Sequence, residues 1–472
     1  MSRAGPRWGW PCVAGRVRQR GQALIYGLFL LLGGLAALFF LFNTGQLTAE
    51  KTKLVNTADA VAYSAGVMNA RTLNFDAYTN RAMVANTIAI AQLTSLASWV
   101  RYADAMGTFG FVLQNPKLSP YYLSYETAVD FGPDAKSELI DQNVLENLVR
   151  TSDNLITNLR VAQAVANAGL LPARAAVMNE VAQANYRGDG TVTVDLMLLS
   201  PNDFPQFVQQ YAGDERTRFA QAVQAGLSRD RFIERRSWMM PALYSDCGSA
   251  TATGRVDWLD RRGGTELIGF DEWKALDTLS EKRWVPKNKT DVMCRAVKER
   301  PAGWGGQSAA DNPTLDLDPL HYDSAPLVNP GATAVAVATS TSAWGYSGLP
   351  SFFDLSPAAL DQPDPRLQFA VRLHRDRDQT LTSDGRSSIQ SAQPRRLNPY
   401  SGAPANEVYA AVAASDVYFA RPGSSRDNVY GASIGRPREL GSLFNPYWDT
   451  RLRAPSLAEL QQAQAWQGVV LP

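Results

Sequence analysis

The chain has 472 residues, a formal net charge of +1, 45% hydrophobic and 10% aromatic residues, enough apolar material for sizeable cores in two or three domains. Five arginines (Arg3, Arg7, Arg16, Arg18, Arg20) crowd the first 20 residues without an acidic residue, and without them 41 basic residues stand against 45 acidic ones. That mildly acidic remainder excludes a nucleic-acid-binding surface as the main business of the chain.

Residues 1–22 form the basic segment. Ala23 to Phe42 follow, with no charge in twenty residues, and as a helix they span roughly 30 Å, the thickness of a bilayer hydrocarbon core. A cleavable secretory signal has a shorter apolar region and a small-x-small site; here Leu41, Phe42, Asn43 and Thr44 lead straight into polar helix. The reading is an uncleaved transmembrane anchor over 23–42. The arginine flank places the amino terminus in the cytoplasm, which puts the rest of the chain outside.

Residues 43–230 read as a mainly helical membrane-proximal region. No proline occurs between Pro11 and Pro116, and Leu47, Leu54, Ala58, Val61 and Ala65 fall on one helical face. This packing face serves either the protein's own domain or partner subunits. A continuous helix from Ala23 to Met106 would be roughly 130 Å long, so a break is expected near Asn69 to Asn74. Helices are predicted over Glu138 to Ala168, from Pro172 to Gln183 with the proline in the first turn, and from Phe204 to Leu227. A strand is predicted over Thr191 to Leu199.

Beyond Asp230 tryptophans are scattered through sequence rich in glycine and proline, with strand candidates at Gly254 to Trp258, Leu367 to Leu373, Val408 to Val412 and Val417 to Ala420. The expectation is a loop-rich α+β region over 231–299, a linker over 300–329 and a distal α+β region over 330–472, so that the fold class is α+β, a transmembrane helix continuing into a helical membrane-proximal region and then a loop-rich α+β region. Cys247 and Cys294 form a disulfide in an oxidising compartment or stay as two buried thiols.

The series Arg20-Gly21-Gln22-Ala23, the apolar segment, Gln46 to Lys53 and Ala58-Asp59-Ala60-Val61-Ala62-Tyr63-Ser64-Ala65-Gly66 resembles the amino-terminal region of TadE/TadG-like proteins of the Tad (Flp) pilus system. Phe444-Asn445-Pro446-Tyr447-Trp448 and Asp416-Val417-Tyr418-Phe419 are similar to the distal ends of long members. The resemblance implies a single-pass protein of the bacterial inner membrane with a periplasmic part, acting in pilus biogenesis as a minor pilin-like subunit or as a scaffold. Its implied partners are pilin-like subunits and the inner- or outer-membrane Tad machinery. Prepilin-like members are cut after a glycine and carry a glutamate five residues on. Counted from Gly21, with Gln22 the first residue after a cut, that position is Tyr26, which favours an uncut anchor over a polymerised pilin. The Asp-x-Ser-x-Ser metal site of the von Willebrand A-like module in some members does not occur.

Signatures of catalysis are weak. No phosphate loop and no zinc-spaced cysteine or histidine pair is present. Gly431-Ala432-Ser433-Ile434-Gly435 fits a nucleophile elbow, but Pro437 opposes the helix that should follow and no histidine comes later. His321 lies among Asp316, Asp318 and Asp323, and His374 lies in a strand-like run; Asp376, Asp378 and Asp384 lack calcium-loop spacing. No cofactor, metal or small-molecule substrate is expected. Three function classes stay open: a non-enzymatic pilus-assembly component, an anchored envelope binding or sensing protein, and an anchored hydrolase that needs Ser433, His321 or His374.

Overall fold

The computed structural model describes residues 22–110, 119–196, 202–228, 230–241, 255–288, 294–311, 328–340, 343–376, 379, 408–420 and 441–466. One helix organises the rest. α1 (Gln22–Phe109) runs 88 residues, roughly 130 Å at 1.5 Å per residue, and does not break at Asn69 to Asn74 as expected. The asparagines that read as helix-ending residues are used sideways instead. Asn69 is buried and its Oδ1 accepts from Arg174 Nη1 at 3.1 Å. The Asn74 amide donates to the Trp448 carbonyl at 2.8 Å and accepts from the Trp448 N–H at 3.0 Å.

Antiparallel to α1 lies α3 (Val144–Asn185), 42 residues long, entered from α2 (Ser119–Lys136) through a π-helical turn, Ser137–Asp141. Pro172, expected to start a separate helix, sits inside α3 at an exposed position, where the carbonyl it leaves free meets water rather than core. The predicted helix from Phe204 to Leu227 is also corrected. It divides into α4 (Phe204–Phe207), β2 (Val208–Tyr211), a 3-10 turn and α5 (Thr217–Leu227). Asp203 caps the first piece by accepting from the Phe204 N–H, and Gly213 turns the chain at φ +58°.

Among the described residues, three sheets are laid along α1. β1 (Thr193–Leu196), β9 (Leu367–Asp376), β10 (Val408–Phe419) and β11 (Trp448–Arg453) form an antiparallel sheet in that order. β2 pairs with β8 (Phe352–Leu355). The third sheet takes the order β3-β4-β5-β6-β7, built on the long strands β4 (Trp258–Ile268), β5 (Glu272–Pro286) and β6 (Cys294–Ala310) between the shorter β3 (Arg236–Pro241) and β7 (Trp344–Gly345). Among the described residues of this sheet only the β6–β7 pair is parallel.

Two expectations about chain order fail here. Residues 300–310, assigned to a linker, are the second half of β6. Their glycines serve close approach: a Cβ on Gly305 would strike Ser98 O and Tyr102 N of α1, and one on Gly303 the Tyr102 ring. Strands β9 and β10, assigned to a distal region, pack on Leu54, Ala58, Val61 and Ala65, beside the apolar end of α1. The far end, around Tyr102 and Met106, is held by α2, β4, β5 and β6.

Candidate functional site

Every residue from 23 to 42 is exposed, including Leu24 and Leu30 at 77% and Leu41 at 71%. Water gives no reason to keep twenty successive apolar or small residues on view, and backbone polar groups in hydrocarbon demand the internal hydrogen bonds a helix supplies. Among the described residues this is the one helix long and apolar enough to cross a membrane.

The grip of the head begins eight residues after Phe42. Glu50 is buried, and its Oε1 receives Arg375 Nη1 at 2.8 Å and the Tyr186 hydroxyl at 3.1 Å. Arg375, itself fully buried, lies 4.6 Å from the Tyr186 ring centroid and reaches Asp189, which Lys53 also engages at 2.5 Å. Burial pushes the Asp189 carboxyl upward, but Lys53 and Arg375 outweigh it and hold the group below the ordinary carboxylate range. The Tyr186 phenol is pushed up, by burial first and then by Glu50. The base of α1, the end of α3 and β9 are thereby joined.

Next along the helix, Leu54, Ala58, Val61 and Ala65 are at most 1% exposed against Met178 and Ala182 of α3, Tyr186 just past its end, and Phe369, Val371 and Leu373 of β9, with Leu47 partly buried at the edge. The face that could have served partner subunits is occupied by this protein's own domain. Gly66 extends it, since a Cβ there would collide with Thr450 Oγ1 and Ser415 Oγ.

Above this point the buried side of α1 turns polar. Gln163 Nε2 donates to Asn80 Oδ1 at 2.9 Å and Thr79 Oγ1 at 3.0 Å, and Asn167 Nδ2 donates to Asp76 Oδ1 at 2.8 Å. Asn80 Nδ2 donates to the carbonyls of Phe353 at 2.8 Å and Leu443 at 2.7 Å. Arg174 grips Asp203 with two bonds of 2.7 and 2.8 Å. Burial lifts the Asp76 carboxyl well above its ordinary value, against the pull of its bonds to Asn167 and Gln163. Farther on, Asp277 is fully buried beside Ser98 Oγ at 2.7 Å, Arg261 at 2.6 Å and Arg236 at 2.9 Å. Burial raises its affinity for a proton, and the two guanidiniums reverse that. Sequence reasoning missed this ladder, although its period is visible: Asn80, Thr87 and Thr94 repeat every seven residues and all are buried.

The remaining expected site residues do not converge. Gly21, Ser433, His321 and its neighbouring aspartates, Asp378 and Asp384 lie outside the described residues, while Gln22 is the first residue of α1. His374 Nδ1 is 2.7 Å from Asp195 Oδ2, an oxygen also held by Arg372 Nη1 at 2.5 Å, so this pair links β1 to β9. Cys294 is buried and disulfide-bonded; Cys247 lies outside the described residues. No cluster of three or more metal-ligating side chains occurs among the described residues.

An exposed apolar helical segment of bilayer length, running without a break into a head that grips the same helix to its far end, is the architecture of a single-pass membrane-anchored protein. Comparison with known families gives the more particular finding. Residues 21–70 match the Tad family model, Flp pilus-assembly TadE/G-like, so that region is TadE/G-like and ties the chain in general terms to the Flp pilus-assembly system. The chain matches no curated protein and no solved structure.

Proposed function

We propose that this protein is a non-enzymatic, membrane-anchored scaffold of Tad (Flp) pilus assembly. It spans the bacterial inner membrane once, with its amino terminus in the cytoplasm and its head in the periplasm, and works alongside pilin-like subunits and the Tad machinery. The observation that carries the reading is α1 itself: without interruption it leaves an exposed apolar segment and enters a head that buries its next 60 residues on one side. A head joined this way cannot swivel on its anchor, which suits a part that sets the position of others. The TadE/G-like match over 21–70 supports the pilus system. Tyr26 in place of the expected glutamate favours an anchor over a shaft subunit, because a free terminal amine inside a bundle of apolar helices is costly without a counter-charge.

A strain lacking the gene should lose surface pili and regain them with the full chain, while the protein should stay in the membrane fraction and be absent from sheared pili. Normal piliation in the deletion strain removes the proposal; recovery from purified pili returns the minor-pilin alternative. A periplasm-active reporter fused after Pro472 should be active, and activity of a cytoplasmic reporter there overturns the orientation.

A further inference from the structure

α3 is built the wrong way round for a surface helix. Between residues 161 and 177 its polar side chains Gln163, Asn167 and Arg174 turn inward to Asp76, Asn80, Asn69 and Asp203, while the outward positions are valine, alanine, glycine, leucine and proline. Val161 is 53% and Val165 66% exposed. Surface helices normally show water the opposite pattern. The outward residues also have a period. Asn154, Asn158, Val161, Val165, Ala168 and Pro172 follow one another at alternating spacings of four and three, all exposed. That is the repeat of a two-helix contact. Exposed Leu148 and Leu155 flank it, both 47% accessible.

We propose that this face of α3 docks a second copy of the same chain, with the two α3 helices side by side, parallel and in register. The orientation rests on the single-pass reading above. Copies anchored in one bilayer have parallel α1 helices, and since α3 runs antiparallel to α1 in each copy, two neighbouring α3 helices must also be parallel. A two-fold axis along the membrane normal then sets each seam residue against itself. Such a seam punishes any charge, because every charge meets its like. This seam carries none: residues 161–173 contain no Asp, Glu, Lys or Arg, and Arg160 and Glu180 fall beside the line by helical spacing. A different partner would impose no such neutrality. Asparagines at contact positions suit the same arrangement, since two identical amides can pair across the axis and fix the register. Ala168 and Gly169 allow close approach, with nothing within 4 Å of a Cβ placed on Gly169. The seam from Asn154 to Pro172 is roughly 27 Å long at 1.5 Å per residue.

Disulfide trapping in native membranes tests the assignment. With Cys12→Ser as background, Val165→Cys and Val161→Cys in the full chain should each give a cross-linked dimer under mild oxidation, whereas Gln209→Cys, exposed on β2, should not. Val165→Glu and Val165→Lys should each lose the dimer trapped through Val161→Cys, and co-expression of the two should restore it. Carbonate extraction reads the anchor separately. No dimer through 161 or 165 in protein that resists extraction overturns the seam and leaves the anchored-scaffold reading standing. Dimers formed only between Val161→Cys and Ala176→Cys copies indicate antiparallel pairing and overturn the register. Release of the protein by carbonate removes the single-pass reading and with it the orientation.

Discussion

Asn80→Ala should destabilise the protein more than any other single truncation on α1 outside its apolar core. Asn80 is fully buried. Its amide supplies both hydrogen bonds that tie the Phe353 and Leu443 carbonyls to α1, at 2.8 and 2.7 Å, and its Oδ1 is one of three acceptors around Gln163 Nε2. Truncation leaves Gln163 with the Thr79 hydroxyl and the Asp76 carbonyl, so its donor is not stranded. The two backbone carbonyls lose the bonds their geometry was built around, at about 1–3 kcal/mol for each buried group left unpaired. The expected loss is therefore about 2–6 kcal/mol, a large part of the roughly 5–15 kcal/mol that holds a typical domain. Asn86→Ala is the matched control, because Asn86 Nδ2 donates only to Ala82 O within the helix, and it should cost less than about 0.5 kcal/mol. Denaturant unfolding of the detergent-solubilised full chain, followed by tryptophan fluorescence, compares the two. If Asn80→Ala unfolds at the same denaturant concentration as Asn86→Ala, the polar ladder does not carry the junction between α1 and the β8 and 441–447 segments.

Asp76 and Asp354 both have folded-state pKa values raised by burial, Asp76 further by the Asp354 charge and Asp354 opposed by Arg218, so each contributes most at or below the ordinary carboxylate range and loses stability as pH rises through its folded value. Asp76→Asn should flatten the decline that sets in as pH rises above the ordinary carboxylate range, without abolishing it; an unchanged slope in pH-dependent unfolding would show that Asp76 is not the titrating group. Ala58→Leu with Ala65→Leu should cost about 1–3 kcal/mol per site by overpacking against α3 and β9, lowering membrane abundance and piliation together; lost piliation at full abundance would mean the face meets a partner after all. We also propose that Cys294 is bridged to Cys247, with loop closure contributing about 3–4 kcal/mol, so neither should react with a thiol reagent before reduction; labelling of both in unreduced protein counts against the bridge.

The parts of this fold that were legible in the sequence are those where one kind of residue accumulates. Twenty uncharged residues announce the apolar end of α1, and the strand candidate at Leu367 to Leu373 falls within β9, whereas those at Val408 to Val412 and Val417 to Ala420 merge into one continuous strand, β10, with no turn between them. Legibility ends where a residue type has two uses. Asn69 and Asn74 are good helix-capping residues in isolation, yet here a guanidinium and a backbone N–H and C=O consume their amides. Arg300 to Ala310 has linker composition, but its glycines mark where a strand touches a helix backbone, a role that depends on α1 some 200 residues earlier. Long-range pairing of that kind leaves no local trace. For the candidate site, the spacing from Leu47 to Ala65 marks one helical face but not what covers it; in the structure these residues lie against α3 and β9.

That internal partner changes where an assembly surface can be. A helix has a limited circumference, and on α1 between Glu50 and Met106 the buried apolar and small residues are committed to β9, β10, β6, α2 and α3, while Val55, Tyr63, Phe75 and Tyr78 stay exposed on other sides of the helix. The polar ladder settles the order of the layers, because the buried Asn69, Asp76 and Asn80 of α1 keep these partners only if α3 turns Gln163, Asn167 and Arg174 inward. Satisfying them forces the valines and alanines of the same turns outward. The exposed apolar face of α3 is thus the other side of the buried polar network. Replacing Gln163 by leucine should release this coupling: Asn80 would lose a donor to its Oδ1 and Phe353 N–H an acceptor, and α3 would be free to rotate its apolar side toward α1. If dimer trapping through Val165→Cys persists unchanged in Gln163→Leu protein of normal abundance, the inward polar side is not what presents the outward apolar one.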